Sequence, residues 1–419
     1  MSKQYLNLPI AAADPAFGLM ADFHADLHPS KVSLLAGAYR DENGLPWVLP
    51  SVKEAKARLI HNQSHEYLGI EGSPRMIKLA RLLTFGPELA TKLSGNMASI
   101  QTVSGTGANH MAALFLAQNL RPTRVFVPSP TWVNHKNIWA QTSVSQMEYP
   151  YYAPKAKAVD LIGMLSVLEQ AAEANDVLIL QSCAHNPTGV DLSQPEWQQV
   201  AEVVKRKRLF VVFDSAYQGF ATGDLDGDAW AVRYFVEQLI VHGESDHPGL
   251  CVAQSFSKNF GLYGERIGAL HFVVPLHLSV QGALSKLMGL ARAEYSNPPF
   301  FGASIVETVL ADEMLRKQWE RDLETMSLRI RRMRRSLRRK LEENGTPGDW
   351  SHIESQIGMF SYTGLDREMV DRLREEFHVY LLSSGRLSIC GLTEQNVDYV
   401  ASAITQVVSS NIGSHSDTK

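Results

Sequence analysis

Between Val125 and Val274 short β-branched runs alternate with longer amphipathic stretches, and this alternation restricts the fold more than any other feature of the chain. Val125-Phe126-Val127 runs into the turn Pro128-Ser129-Pro130, and Val177 to Leu180 runs into a loop from Gln181 to Gly189. A helical pattern from Gln194 to Lys207 follows, then a strand from Leu209 to Phe213. Cys251 to Ser255 ends in the loop Ser257 to Gly264, and Arg266 to Val274 reads as another strand. Strands separated by helix-length stretches predict an α/β fold, a mostly parallel sheet covered by helices. Open sheets of this kind bind ligands at the carboxyl ends of their strands, so the loops after the strands are where chemistry is expected.

From about Ala311 the character changes. Leu315, Trp319, Leu323, Met326, Ile330, Met333, Leu337 and Leu341 recur every three or four residues, which is one face of a long helix. The basic run Arg329 to Lys340 lies among them and reads as the solvated face of a domain-connecting helix rather than a nucleic-acid stripe. Ile357 to Phe360, the segment Val379 to Leu382 and a last helix from Glu394 to Val408 make a second, smaller α+β unit. The expected division is an N-terminal arm and part of the small domain over 1–46, and a large domain over 47–320. The small C-terminal domain then covers 321–410, with a flexible tail over 411–419.

Composition excludes several classes. The 419 residues carry 40 basic and 44 acidic side chains, a formal charge of −4 that gives no reason to expect nucleic acid. No apolar run approaches the ~18 residues of a membrane span. Cys183, Cys251 and Cys390 are odd in number and far apart, so they form neither a disulfide framework nor a metal knuckle. The N-terminus lacks the pattern of a secretory or transit signal, and cytoplasm is expected. Asn62-Gln63-Ser64 is then a chance sequon. His61 and His65 have no third ligand nearby, and no metal site is expected.

Four places carry possible chemistry. Lys258 follows a buried strand, where a lysine loses its proton more readily and becomes a nucleophile, although an isolated lysine more often just reaches solvent. Asp214 follows the strand Leu209 to Phe213, three residues before Tyr217. It reads either as a loop cap or as a buried anion awaiting a cation such as a protonated pyridine nitrogen. Val103-Ser104-Gly105-Thr106-Gly107-Ala108 leads from a strand into a helical pattern beginning near Ala108, a natural seat for one phosphate. The dinucleotide fingerprint fails because His110 stands at the third glycine position. Arg292 and Arg386 read either as surface ion pairs or as two guanidinium forks for a dicarboxylic substrate.

These residues sit in strings such as EYLGIEG, SGTGA, PSPTWVNH, CAHNPTGVD, FDSAYQGFATGD, QSFSKNFGLYGERIGA, YSNPP and GRLSICGL. Through them the chain resembles the aspartate aminotransferases, class I pyridoxal-phosphate enzymes of fold type I, from about Asp14 to Val408. The resemblance implies a large domain with a mostly parallel seven-stranded sheet, a small α+β domain, and a homodimer with shared active sites. It implies pyridoxal 5′-phosphate as cofactor, with Lys258 forming the Schiff base and moving the substrate proton. Asp214, supported by His135, would hold the ring nitrogen, Tyr217 and Asn186 the phenolic oxygen, and Trp132 the ring face. Ser104, Gly105, Thr106, Ser255 and Arg266 would hold the phosphate, with Tyr67 reaching it from the neighbouring subunit. Arg386, with Gly37 and Asn186, would clamp the α-carboxylate, and the neighbour's Arg292 the side-chain carboxylate.

The implied reaction is ping-pong transamination of L-aspartate with 2-oxoglutarate to oxaloacetate and L-glutamate. The alternative is an aminotransferase for another dicarboxylic, aromatic or biosynthetic amino acid, or a lyase or decarboxylase with the same cofactor. The chain departs from the family at Gln181, where many members carry a histidine, and at Ala16, Phe17, Asn109, His110 and Val133. These departures leave the amino-donor preference open.

Overall fold

The computed structural model describes Leu8 and residues 15–61, 64–243 and 246–416. Asn62 and Gln63 of the sequon, Asp14 and residues 417–419 lie outside the described residues.

Seven strands form one sheet. They are β1 (Met97–Val103), β2 (Arg124–Ser129), β3 (Ser145–Pro150), β4 (Val177–Gln181), β5 (Phe210–Ser215), β6 (Leu250–Ser255) and β7 (Ile267–Val273). Their order across the sheet is β1-β7-β6-β5-β4-β2-β3. Only β7 runs antiparallel to its neighbours, so the sheet is mostly parallel, as the alternation predicts.

The strand sequences are apolar almost throughout because both faces are covered. On β5, Val211 and Phe213 point into one core with Trp197, Val204 and Phe235, while Phe210 and Val212 point into the other with Ala112, Leu116 and Leu287. Burying one such side chain stabilises the fold by about 1.5–3 kcal/mol. The helix α1 (Ser104–Asn119) covers one face and α2 (Gln194–Lys207) the other. α2 starts where Ser193 and Glu196 form a reciprocal capping box, and it ends at Arg208 in the left-handed conformation (φ 54°).

The long helix is α3 (Glu313–Glu343), capped by Asp312, whose side chain accepts from Leu315 N at 2.9 Å. All eight residues of its expected apolar stripe are buried. The basic run departs from expectation at two positions, because Arg329 and Arg334 are only 6% and 1% exposed. They flank the stripe, at one turn from Met326 and Ile330. Arg334 crosses the core to donate to the carbonyls of Ile353 (2.9 Å), Gly358 (2.9 Å) and Phe360 (2.5 Å). Arg329 donates to Asp41 O (2.8 Å) and Leu392 O (2.7 Å). Five N–H donors on a long stem suit loop carbonyls that no helix or sheet can satisfy.

Beyond α3, Phe360–Tyr362 pairs with Arg386–Ser388, and Val379–Tyr380 pairs in parallel with Val32–Ser33 near the start of the chain. The strand Arg386–Ser388 gives way to a 3-10 turn at Ile389–Gly391. The last helix runs Val397–Ser416, beyond the end of its apolar pattern.

Candidate functional site

β1 passes into α1 without a loop, so the helix begins at Ser104 rather than near Ala108. Ser104 makes the corner with φ 65°, a left-handed conformation that a non-glycine residue holds only when its surroundings fix it. Its N–H donates to Arg266 O at 3.0 Å. Its Oγ accepts from Thr106 N (3.2 Å) and from Arg266 Nη2 (2.7 Å). Gly105 must be glycine, since an added Cβ would lie 2.8 Å from Ser255 Cβ. Free N–H groups, a guanidinium and serine hydroxyls thus meet at the positive end of a helix, which is an anion seat.

Asp214 corrects the reading of it as a loop cap. β5 extends to Ser215, so Asp214 is a ladder residue paired with Gln181 on one side and Ala253 on the other. Its Oδ2 lies 3.0 Å from His135 Nε2, and His135 Nδ1 lies 2.8 Å from Thr131 Oγ1. A carboxylate only accepts, so the imidazole nitrogen facing it carries hydrogen.

Lys258 lines the same cavity as the anion seat and Asp214, its Nζ 5.3 Å from the centre of the Tyr217 ring. Burial pulls its ammonium below the usual lysine value; Asp214 opposes that shift and Arg266 adds to it. Burial, with Asp214 adding, pushes the Tyr217 phenol up. The loop is pinned from two sides. Asn259 Nδ2 donates to Gln218 O (3.2 Å), and Trp319 Nε1 on α3 donates to Asn259 O (2.7 Å).

Every expected site residue except His135, Arg386, Tyr67 and Arg292 lines one cavity of ≈ 220 Å³. His135 stands behind Asp214, buried. Arg386 reaches the rim, with Nη1 3.4 Å from Asn186 Oδ1, Nη2 3.3 Å from Leu35 O and its guanidinium 4.1 Å from the centre of the Phe360 ring. Tyr67 and Arg292 are elsewhere. Tyr67 is 87% exposed, and Arg292, also exposed, donates to Ser296 Oγ. The two segments are joined, because Asn297 Nδ2 donates to Leu68 O at 2.7 Å.

Gln181, Ala216, Ser257 and Tyr263 also line the cavity. The resemblance put Gln181 in the network behind Asp214, and the sequence assigned no site role to the other three. Ala216 and Ser257 sit directly beside predicted site residues, which was the available signal. Tyr263 Oη accepts from Tyr39 N at 2.9 Å, a contact across 224 positions that no local pattern announces. Among the described residues no group of His, Cys, Asp and Glu is placed to hold a metal ion.

The family model for aminotransferases of class I and II matches residues 29–404. The cytoplasmic aspartate aminotransferase of Saccharomyces cerevisiae is 45% identical over 409 residues, 96% of each chain. Its solved structure superposes with a TM-score of 0.93, covering 97% of this chain and 99% of that one. An L-tyrosine:2-oxoglutarate aminotransferase of Aspergillus ustus is 44% identical over 94% of this chain and 76% of its own length. An aromatic-amino-acid aminotransferase of Burkholderia pseudomallei, solved covalently bound to pyridoxal phosphate, is 39% identical with a TM-score of 0.91, covering 97% of this chain and all (100%) of that one. Match length, identity and superposition agree with the anion seat, the buried lysine and the strand-end aspartate: the chain belongs to the class I and II aminotransferase family.

Proposed function

We propose that the chain is a pyridoxal-phosphate-dependent aspartate aminotransferase, exchanging the amino group between L-aspartate and 2-oxoglutarate to give oxaloacetate and L-glutamate. The observation that carries this is one cavity with an anion seat, a desolvated amine and a buried carboxylate, next to a guanidinium at its rim. The crowding of Gly105 against Ser255 and the Arg266–Ser104 bond fit a phosphate group. Asp214, backed by a histidine rather than an arginine or lysine, fits a protonated ring nitrogen.

When bound, the cofactor supplies the electron sink that makes the amino acid's Cα–H acidic. The protein's residues do the rest. Arg386 receives the α-carboxylate in a bidentate fork, with Asn186 beside it. Lys258 Nζ, whose burial lowers its hold on a proton, takes the Cα proton, then returns it on the way to product. Asp214 keeps its negative charge toward the ring nitrogen, and Trp132 walls the ring face. Returning through the same site with a keto acid gives ping-pong kinetics.

Arg292 would read the side-chain carboxylate and Tyr67 the phosphate, both from a second subunit of a homodimer. Their exposure and their linkage through Asn297 and Leu68 support this. So does the apolar groove beside them, ≈ 760 Å³, lined by Ile60, Pro299 and Phe301. A cytoplasmic location fits the name of the yeast relative and the three buried free cysteines.

A panel of amino donors against 2-oxoglutarate tests the substrate. Aspartate should lead and give oxaloacetate. No oxaloacetate, with good turnover of tyrosine or phenylalanine, would reject aspartate in favour of the aromatic reading that the Aspergillus ustus relative suggests. Arg292→Asp should lower kcat/KM for aspartate by about 10²-fold or more while sparing uncharged donors, because a reading cation becomes a repelling anion. Equal losses on both donor types would remove Arg292 from side-chain recognition.

A further inference from the structure

Gln181 is the last residue of β4, lies opposite Asp214 in the ladder and is 6% exposed. Its side chain is fully committed. Oε1 accepts from Asn186 N at 2.8 Å, and Nε2 donates to Asn186 O at 3.0 Å and to Thr131 Oγ1 at 3.3 Å. Turning the amide over would set oxygen against a carbonyl and NH₂ against an N–H, so its orientation is fixed by its partners.

We propose that Gln181 is a positioning residue that ties the ring-nitrogen end of the site to its carboxylate end through two hydrogen-bonded branches. The inference rests on the reading of the cavity as a pyridoxal-phosphate site. The first branch runs through Thr131. Its Oγ receives the Gln181 N–H and lies 2.8 Å from His135 Nδ1, while His135 Nε2 lies 3.0 Å from Asp214 Oδ2. The carboxylate accepts, so Nε2 bears the hydrogen. Thr131 keeps its own hydrogen while accepting from Gln181, and in the proposed network that hydrogen is directed at Nδ1. The donors then point one way from Gln181 to Asp214, and the imidazole between them is neutral. Asp214 therefore keeps its full negative charge for the ring nitrogen instead of sharing it with an imidazolium.

The second branch runs through Asn186. Gln181 grips both backbone polar groups of that residue, whose side-chain oxygen lies 3.4 Å from Arg386 Nη1. One amide thus sets the tautomer behind Asp214 and the seat of the carboxamide beside the substrate clamp. Bonds of this kind, buried and mutually polarising, are worth more together than singly.

The test uses the holoprotein and the protein freed of cofactor. Imidazole ¹⁵N spectra of the wild type should report His135 neutral, with hydrogen on Nε2. An imidazolium there overturns the first branch without any substitution. Gln181→Glu keeps the acceptor for Asn186 N but takes the Thr131 hydrogen, so His135 should become protonated; an unchanged spectrum counts against the proposal. Gln181→Met cuts both branches. It should weaken pyridoxal-phosphate binding about fivefold to tenfold, and raise KM for the amino donor by a similar factor at saturating cofactor. Thr131→Val cuts only the first branch and should weaken cofactor binding while leaving KM within about twofold. A KM rise in Thr131→Val matching that of Gln181→Met, or no change in either quantity for Gln181→Met, overturns the coupling. A wild-type protein that takes up no pyridoxal phosphate instead overturns the proposed function, and it is measured first.

Discussion

The two ends of the site are made in different ways. The anion seat and the Asp214 end are built from strand ends within one sheet, where Arg266 is held by Ser104 and Asp214 by His135. Arg292, expected to read the far end of the substrate, and Tyr67, expected to reach the phosphate from a neighbour, stand exposed on a helix and a loop outside the cavity. In the proposed dimer most of the hold on the cofactor would then belong to the single chain, whereas the reading of the substrate side chain would belong to the assembly. A rigid interior suits a group that stays, and a surface contributed by a neighbour suits a group that changes twice in every cycle.

Lys258→Ala breaks the chain's own half and has the largest expected effect. Turnover should fall on the order of 10⁴-fold or more, while a bound cofactor phosphate is still protected from dilution. Mixing subunits sharpens the comparison next. Lys258→Ala and Arg292→Asp chains, each nearly inactive on aspartate, should recover about a quarter of wild-type activity when reassembled one to one, because half the dimers hold one intact site. No recovery would mean that each site is built from one chain.

A smaller effect concerns pH. The amine that captures the cofactor aldehyde must be neutral, and burial lowers the Lys258 value from 10.5. The capture rate of the cofactor-free protein should rise with pH and level off below 10.5, earlier than for a free lysine side chain. Stopped-flow absorbance checks this; a rise continuing past 10.5 would contradict the desolvated lysine. Smaller still is Arg334→Met. Three carbonyls lose their donor, one of them that of Phe360, whose ring lies under Arg386. Stability should drop by about 3 kcal/mol, with KM for the amino donor raised and cofactor affinity kept. Chemical denaturation and steady-state kinetics read the two effects separately.

What could be read from sequence follows the range of the interactions. The β5 run, the α2 pattern and the α3 stripe were legible because local periodicity records which face is buried. Asp214 was legible as an anion after an apolar run, but not as a ladder residue, because a strand's end depends on its neighbours' lengths. Arg329 and Arg334 were misjudged inside a basic run, since nothing local tells a guanidinium that reaches loop carbonyls from one that reaches water. Gln181 was tied to the network behind Asp214 only through the resemblance, and its partners were not legible. Its partner Asn186 lies five residues away in the loop that follows it, but Thr131 meets it only after two distant segments have folded together.

The bond from Asn297 to Leu68 O ties the segment that carries Tyr67 to the one that follows Arg292. In the proposed dimer a contact for the cofactor phosphate and a contact for the substrate side chain would then reach the neighbouring site on a single rigid arm. A substitution that shifts the backbone of that arm, unlike one confined to the Arg292 side chain, would change the grip on the phosphate together with substrate preference, so a lineage changing its amino donor would meet less resistance at side chains than at the arm's backbone.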